Sequence, residues 1–168
     1  DWVNDKINQA KIDGYVTLAY GLRLRTPILQ SRPNSSAAGV ESRTAGNAVS
    51  GQSYGMVNSK AANEFMQEVW DSPYVYDIKP IMQIHDAQYY LIRNDLELVE
   101  WVNKRVPFHM VNQTNDLPEL AHESLTLGAE LDVHYKGWHQ PITLPNHSST
   151  EDIQSICDVA VTKYNSKE

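Results

Sequence analysis
Apolar positions along the chain change period several times, from helical spacing to short β-prone runs and back. Trp2, Val3 and Ile7 fall at helical spacing in a polar opening that Gly14 can stop, which predicts a helix over residues 1–12. "YVTLAYGLRLRTPI" gives two β-prone runs around Gly21, predicted to form a hairpin closed by Pro27. "LQSRPNSSAAGVESR" has the Ser, Pro, Asn and Gly content of an exposed loop, with helix-starting residues near its end. From about Glu41 to Trp70, the positions of Tyr54, Val57, Ala61, Phe65 and Val69 predict one long amphipathic helix. Gly46, Gly51 and Gly55 make the first half of that helix either irregular or closely approached by something else.

"DSPYVYD" breaks the helix, and "IKPIMQI" and "AQYYLIR" are strand-like runs whose matching lengths predict a hairpin over residues 78–93. Asn94 followed by Glu97 is a capping-box pattern for the next helix, with Lys104 and Arg105 in its last turn and Pro107 at its end. "DLPELAHESLTLGAELDVHY" is expected to start helically and finish as a strand through Leu131 and Val133, and "QPITLPNHSS" reads as loop. A last helix over 150–164 is capped by Ser149 or Thr150. The expected fold is α+β, an antiparallel sheet packed on helices.

With 168 residues, 41% of them hydrophobic, the chain can bury one ordinary core. It lacks any run of about 20 apolar residues that could cross a bilayer, and its start has no signal-peptide pattern. The expected setting is therefore cytoplasmic, without a membrane partner. Cys157 is the single cysteine, which leaves no internal disulfide or thiolate metal cage. A formal net charge of −7 argues against a free-standing nucleic-acid binder, though it suits a site that gathers metal ions. Asp1 lies directly before an amphipathic helix, so the chain is expected to be a fragment.

The candidate chemistry lies in the second hairpin, where "MQIHDAQYYLIR" sets His85 and Asp86 between two apolar strands. A carboxylate at a tight turn between buried strands is held rigidly yet left exposed, which hard, oxygen-preferring Mg²⁺ requires of a protein ligand. Aspartate is also common in turns for its own backbone hydrogen bonding. A metal-dependent hydrolase using His85 and Asp86 with His122, Glu123, His134 or His139 has little support, because these spacings fit no zinc pattern.

The stretch "MQIHDAQYYLI" resembles motif C of the family A, DNA polymerase I-like DNA polymerases, in which an apolar strand leads through Gln, an apolar residue, His and Asp into a second strand. Gln83, Ile84, His85 and Asp86 match it. "GYVTLAYGLRLRTP" resembles the family's palm hairpin through Gly14, Tyr15, Val16, Gly21, Arg23, Leu24 and Pro27. "ESRTAGNAVSGQS" is similar to the start of its long palm helix, where Arg, Asn and Gln one turn apart face the minor groove. "LTLGAELDVHYKGW" resembles its terminal strand, ending in Gly137 and Trp138. The likeness covers residues 1–138, read as the C-terminal palm part of a polymerase of a bacteriophage-like branch, with 139–168 an extension past the family's usual end.

The resemblance implies primer extension by attack of a 3′-hydroxyl on the α-phosphate of a deoxynucleoside triphosphate, assisted by two Mg²⁺ ions. It makes Asp86 a metal ligand and His85 a contact near the primer end. Arg43, Asn47, Gln52, Gln83 and Arg23 become DNA-facing residues, with Arg25 and Arg32 further candidates for phosphates. The partners implied are a primer-template and a dNTP; the oligomeric state stays open. The second principal aspartate and the residues that hold the triphosphate would lie N-terminal to this sequence, so residues 1–168 alone are expected not to polymerise. Ala87 stands where the family usually has Glu. Gln52 stands five residues beyond Asn47 instead of four, with Gly51 at the expected position. Either a helix irregularity re-aims Gln52 or that contact is not made. The alternative function is a non-catalytic α+β interaction domain in which the hairpin is only architecture.

Overall fold
A computed structural model describes residues 2–113, 128–134 and 137–166. The expected helical start of "DLPELAHE" lies outside the described residues. The fold is α+β, and its described strands form three separate two-stranded antiparallel sheets. The chain divides into two compact units, Asp1–Ser59 and Lys60–Glu168.

In the first unit, helix α1 (Trp2–Asp13) ends where Gly14 adopts a φ of +76° and donates its N–H to the carbonyl of Ala10. A Cβ at Gly14 would fall 2.6 Å from the movable end of the Gln30 side chain, so it is the positive φ that selects glycine there. Strands β1 (Tyr15–Thr17) and β2 (Arg23–Arg25) then pair antiparallel across a 3₁₀ turn at Ala19–Gly21, as expected from the alternation. The stretch expected as loop instead opens with a short helix, α2 (Pro27–Ser31). Pro27 pre-sets its first turn, and Leu29 is drawn into the core while its N–H donates to Glu41 Oε2 at 2.6 Å. Helix α3 (Ser36–Asn47) also begins earlier than Glu41, because the Ser35 hydroxyl accepts from the Ala38 N–H as N-cap. A π-turn at Ala48–Gln52 follows, and helix α4 (Ser53–Trp70) runs on through the division between the units. Ala10, Val16, Leu18, Leu29, Ala38, Ala45, Ala48 and Val49 form the first unit's core. Val3 and Ile7 lie within 3.6 Å of where a Gly46 Cβ would sit, so this glycine is the close approach expected from the sequence, whereas Gly51 and Gly55 face open space.

In the second unit, strands β3 (Ile78–Ile84) and β4 (Ala87–Ile92) form the expected hairpin. Helix α5 (Leu96–Asn112) departs from expectation at both ends. Its cap is Asp95, which accepts from the Leu98 N–H at 3.0 Å, and not Asn94. Pro107 does not stop it. A proline inside a helix loses a hydrogen bond at a cost of about 3 kcal/mol. The next turn offsets that cost, since Met110 is buried, His109 Nε2 meets Glu68 Oε2 at 2.6 Å and Gln113 donates to Glu64. Strand β5 (Leu131–His134) pairs with a strand expected as loop, β6 (Pro141–Leu144), whose alternate residues Ile142 and Leu144 point inward. Helix α6 (Thr150–Asn165) has a complete capping box between Ser149 and Asp152. Phe65, Met66, Val69, Ile78, Leu98 and Val102 make one core cluster, and Ile142, Leu144 and Ile153 make another that Leu131, Val133 and Val99 complete. Residues beyond 138 thus supply a strand and a helix to this unit's packing.

Candidate functional site
Ile84 pairs with Ala87, so His85 and Asp86 are the entire two-residue loop of the β3–β4 hairpin. The hairpin is buried at its base, where Ile78, Tyr90 and Ile92 pack with Phe65. It becomes exposed toward its tip, where Ile81, Met82, Gln83, Ile84, His85 and Asp86 all face solvent. A register shift between Pro80 and Met82 leaves Ile81 unpaired, a bulge that bends and twists the strand leading to the loop. His85 carries a φ of +53° and Asp86 does not. Positive φ is uncommon outside glycine, and it costs an L-residue roughly 1–2 kcal/mol, which the pairing of the flanking strands must offset.

Neither His85 nor Asp86 has a hydrogen-bond or ion-pair partner among the described residues. The Asp86 carboxylate is thus exposed at the hairpin tip and without a partner among the described residues. No group of three His, Cys, Asp or Glu able to hold a metal occurs among the described residues. Asp86 fits one ligand position of a divalent cation, and the described residues supply no complete set. Of the hydrolase candidates, His134 stacks on Trp138 and His139 packs over Gly137; His122 and Glu123 lie outside the described residues.

The two tyrosines after the loop take opposite tasks. Tyr90 meets Phe65 edge-on at 5.2 Å, and burial pushes its phenol pKa up. Its hydroxyl donates to Gln88 Oε1 at 2.5 Å. Tyr89 stacks on Trp138 at 4.7 Å, and Trp138 stacks in turn on His134 at 5.3 Å. This ring stack ties β4, three residues past the loop, to the end of β5. Nothing in the sequence periodicity marked Trp138 for it. Gln83 lies opposite Gln88 in the ladder.

The other candidate residues lie in the first unit. Arg43, Asn47 and Gln52 are exposed, while Ala45, Ala48 and Val49 on the same helical run are buried. The helix is irregular where the spacing changes: the Ser53 N–H donates to the Ala48 carbonyl, a five-residue step. Arg23 and Arg25 occupy alternate, exposed positions of β2 with Leu24 turned toward the core. The Arg23 guanidinium lies over the Tyr15 ring at 4.5 Å. None of Arg23, Arg25, Arg32 or Arg43 has an ion-pair partner among the described residues. Charge is also unevenly divided. Residues 1–59 carry six Lys and Arg against four Asp and Glu, and residues 60–168 carry eight against seventeen. The net charge of −7 therefore hides a first unit that is net basic.

Cys157 sits half-buried in α6, where burial and then the neighbouring Asp158 raise its thiol pKa, so it remains a packing residue. No helix among the described residues is long and apolar enough to cross a membrane.

No family model and no curated protein matches the chain. Among solved structures, the chain is similar to the POL domain of Pol1 from M. smegmatis in complex with DNA primer-template and dNTP, with a TM-score of 0.57 and 25% identity. The similarity covers 67% of this chain and 19% of that one, so the chain spans about a fifth of the length of the polymerase structure it resembles.

Proposed function
We propose that the chain is a palm part of a family A-type, template-directed DNA polymerase, in which Asp86 is one carboxylate of the nucleotidyl-transfer site. The observation that carries this reading is the exposed Asp86, without a partner among the described residues, at the apex of a two-residue hairpin loop in a chain similar to a polymerase domain. In this reading the whole enzyme extends a primer, and the remaining carboxylates and the residues that hold the triphosphate come from outside residues 1–168.

Asp86 would hold Mg²⁺ through a carboxylate that is exposed at the loop. When bound, a pair of such ions lowers the pKa of the attacking hydroxyl and stabilises the leaving pyrophosphate. Among the chain's own residues, His85, next in sequence and exposed on the same loop, would contact the primer end. Arg43, Asn47 and Gln52 line an exposed helix face with donors suited to minor-groove acceptors, which are shared by all correct pairs and test geometry without reading sequence. Arg23, with Arg25, supplies positive charge for backbone phosphates. Ala87 puts no second carboxylate directly after Asp86, so metal binding at this loop rests more on Asp86.

The test is Asp86→Asn in the full-length protein. Primer extension is expected to fall at least about 100-fold, as for loss of a metal-orienting group, with primer-template affinity kept within about threefold. Undiminished extension would remove Asp86 from the reaction.

A further inference from the structure
We infer that the π-turn at Ala48–Gln52 is a one-residue insertion, absorbed at Gly51, that keeps Gln52 in register with Arg43 and Asn47; the functional part of this inference rests on the groove-facing reading above. An α-helix advances about 100° per residue, so in an uninterrupted helix residue 52 would fall about 140° from Asn47 and within about 20° of Ala45. Ala45 is 0% exposed and packed in the first unit's core. Gln52 is nevertheless exposed, like Arg43 and Asn47. The five-residue hydrogen bond from the Ser53 N–H to the Ala48 carbonyl accounts for this. A π-turn closes with one residue more than an α-turn, so Asn47 and Gln52, five apart, stand one turn apart.

The buried side of the run is preserved as well. Ala45, Ala48 and Val49 pack before the turn, and Ser53 after it is buried, its hydroxyl accepting from the Ala19 N–H at 3.1 Å. A plain insertion into an α-helix would turn one of these faces away from its partners. The π-turn confines the extra residue to the exposed arc. Gly51 fits that part, because it is exposed and a Cβ there would meet nothing within 4 Å. Packing therefore does not require residue 51.

Deletion of Gly51 in the full-length protein, compared with Gln52→Ala, tests the inference. Deletion is expected to restore an uninterrupted α-helix, with unchanged or increased helical circular dichroism and an unfolding temperature raised by a few degrees. Discrimination against extension of a mispaired primer end is expected to stay within about threefold of the parent, while Gln52→Ala weakens it about tenfold, the loss of a groove hydrogen bond. A deletion variant that unfolds earlier, or that loses discrimination while Gln52→Ala shows the contact matters, overturns the register inference and leaves the groove-facing reading standing. If Gln52→Ala changes nothing, the groove-facing reading of Gln52 is overturned, and the functional part of the inference with it; the unfolding temperature of the deletion variant still decides the structural part.

Discussion

Asn103 offers the sharpest stability test of how residues beyond 138 are built into the second unit. Its side chain is fully buried on α5. Its Nδ2 donates to the Pro145 carbonyl at 3.1 Å, and its Oδ1 accepts from the Ser148 N–H at 2.9 Å. One amide thus brackets the link between β6 and α6. In Asn103→Ala the Pro145 carbonyl keeps the Ser148 hydroxyl as a donor at 2.7 Å, but the buried Ser148 N–H loses its acceptor. An orphaned buried N–H costs about 1–3 kcal/mol and the other lost bond about 0.5–1.5 kcal/mol, so the expected total is about 1.5–4.5 kcal/mol. Urea denaturation of residues 1–168, followed by tryptophan fluorescence and far-UV circular dichroism together, measures it. A loss below about 0.5 kcal/mol would refute the reasoning, because it would mean that the bracket is not formed or that water replaces it without cost. The consequence reaches the candidate site, since β6 pairs with β5, whose His134 leads through Trp138 to Tyr89 beside the loop.

His85→Gly separates backbone strain from side-chain chemistry. Relief of the positive φ is offset by the greater freedom of glycine in the unfolded chain, leaving an expected gain of about 0.5 kcal/mol, while primer extension by the full-length variant falls. A urea midpoint that drops would show that His85 is not strained. Glu68 makes the acid limb of the stability curve informative. Burial pushes its carboxyl pKa up, but hydrogen bonds from Arg105 and His109, with their charges, outweigh that and hold it below the ordinary glutamate value. A lowered folded-state pKa contributes stability that is present above the ordinary value and lost as pH falls through the lowered one. Glu68→Gln is accordingly expected to flatten that acid limb, and parallel curves for the two proteins would contradict the assignment.

Much of this architecture was legible because local chemistry and tertiary packing agree. The hairpin around His85 and Asp86 announced itself by two matched apolar runs with a polar pair between them, and the start of α6 by Ser149, one of the two caps expected there. The misreadings occur where tertiary contacts override a local signal. Pro107 breaks helices by default, yet the ties of His109 and Gln113 to α4 carry α5 past it. The strand at Pro141–Leu144 is too short and too close to proline to stand out, and exists because Ile142 and Leu144 have a core to enter. At the candidate site, the sequence showed Asp86 and the change of spacing at Gln52. It could not show that a π-turn absorbs the extra residue, because five-residue hydrogen bonding has no composition of its own. The stack of Tyr89, Trp138 and His134 joins rings from separate elements and leaves no periodic trace.

The claim at the centre of this account is that the Asp86 carboxylate holds a divalent cation during nucleotide addition. Iron-directed cleavage tests it without relying on turnover: Fe²⁺ replaces Mg²⁺ in the full-length protein bound to primer-template and dNTP, and ascorbate with peroxide then generates radicals at the metal. Backbone scission centred on the loop between Ile84 and Ala87, and lost in Asp86→Asn, is the expected result. Scission that spares this loop, or that persists unchanged in Asp86→Asn, would contradict the account.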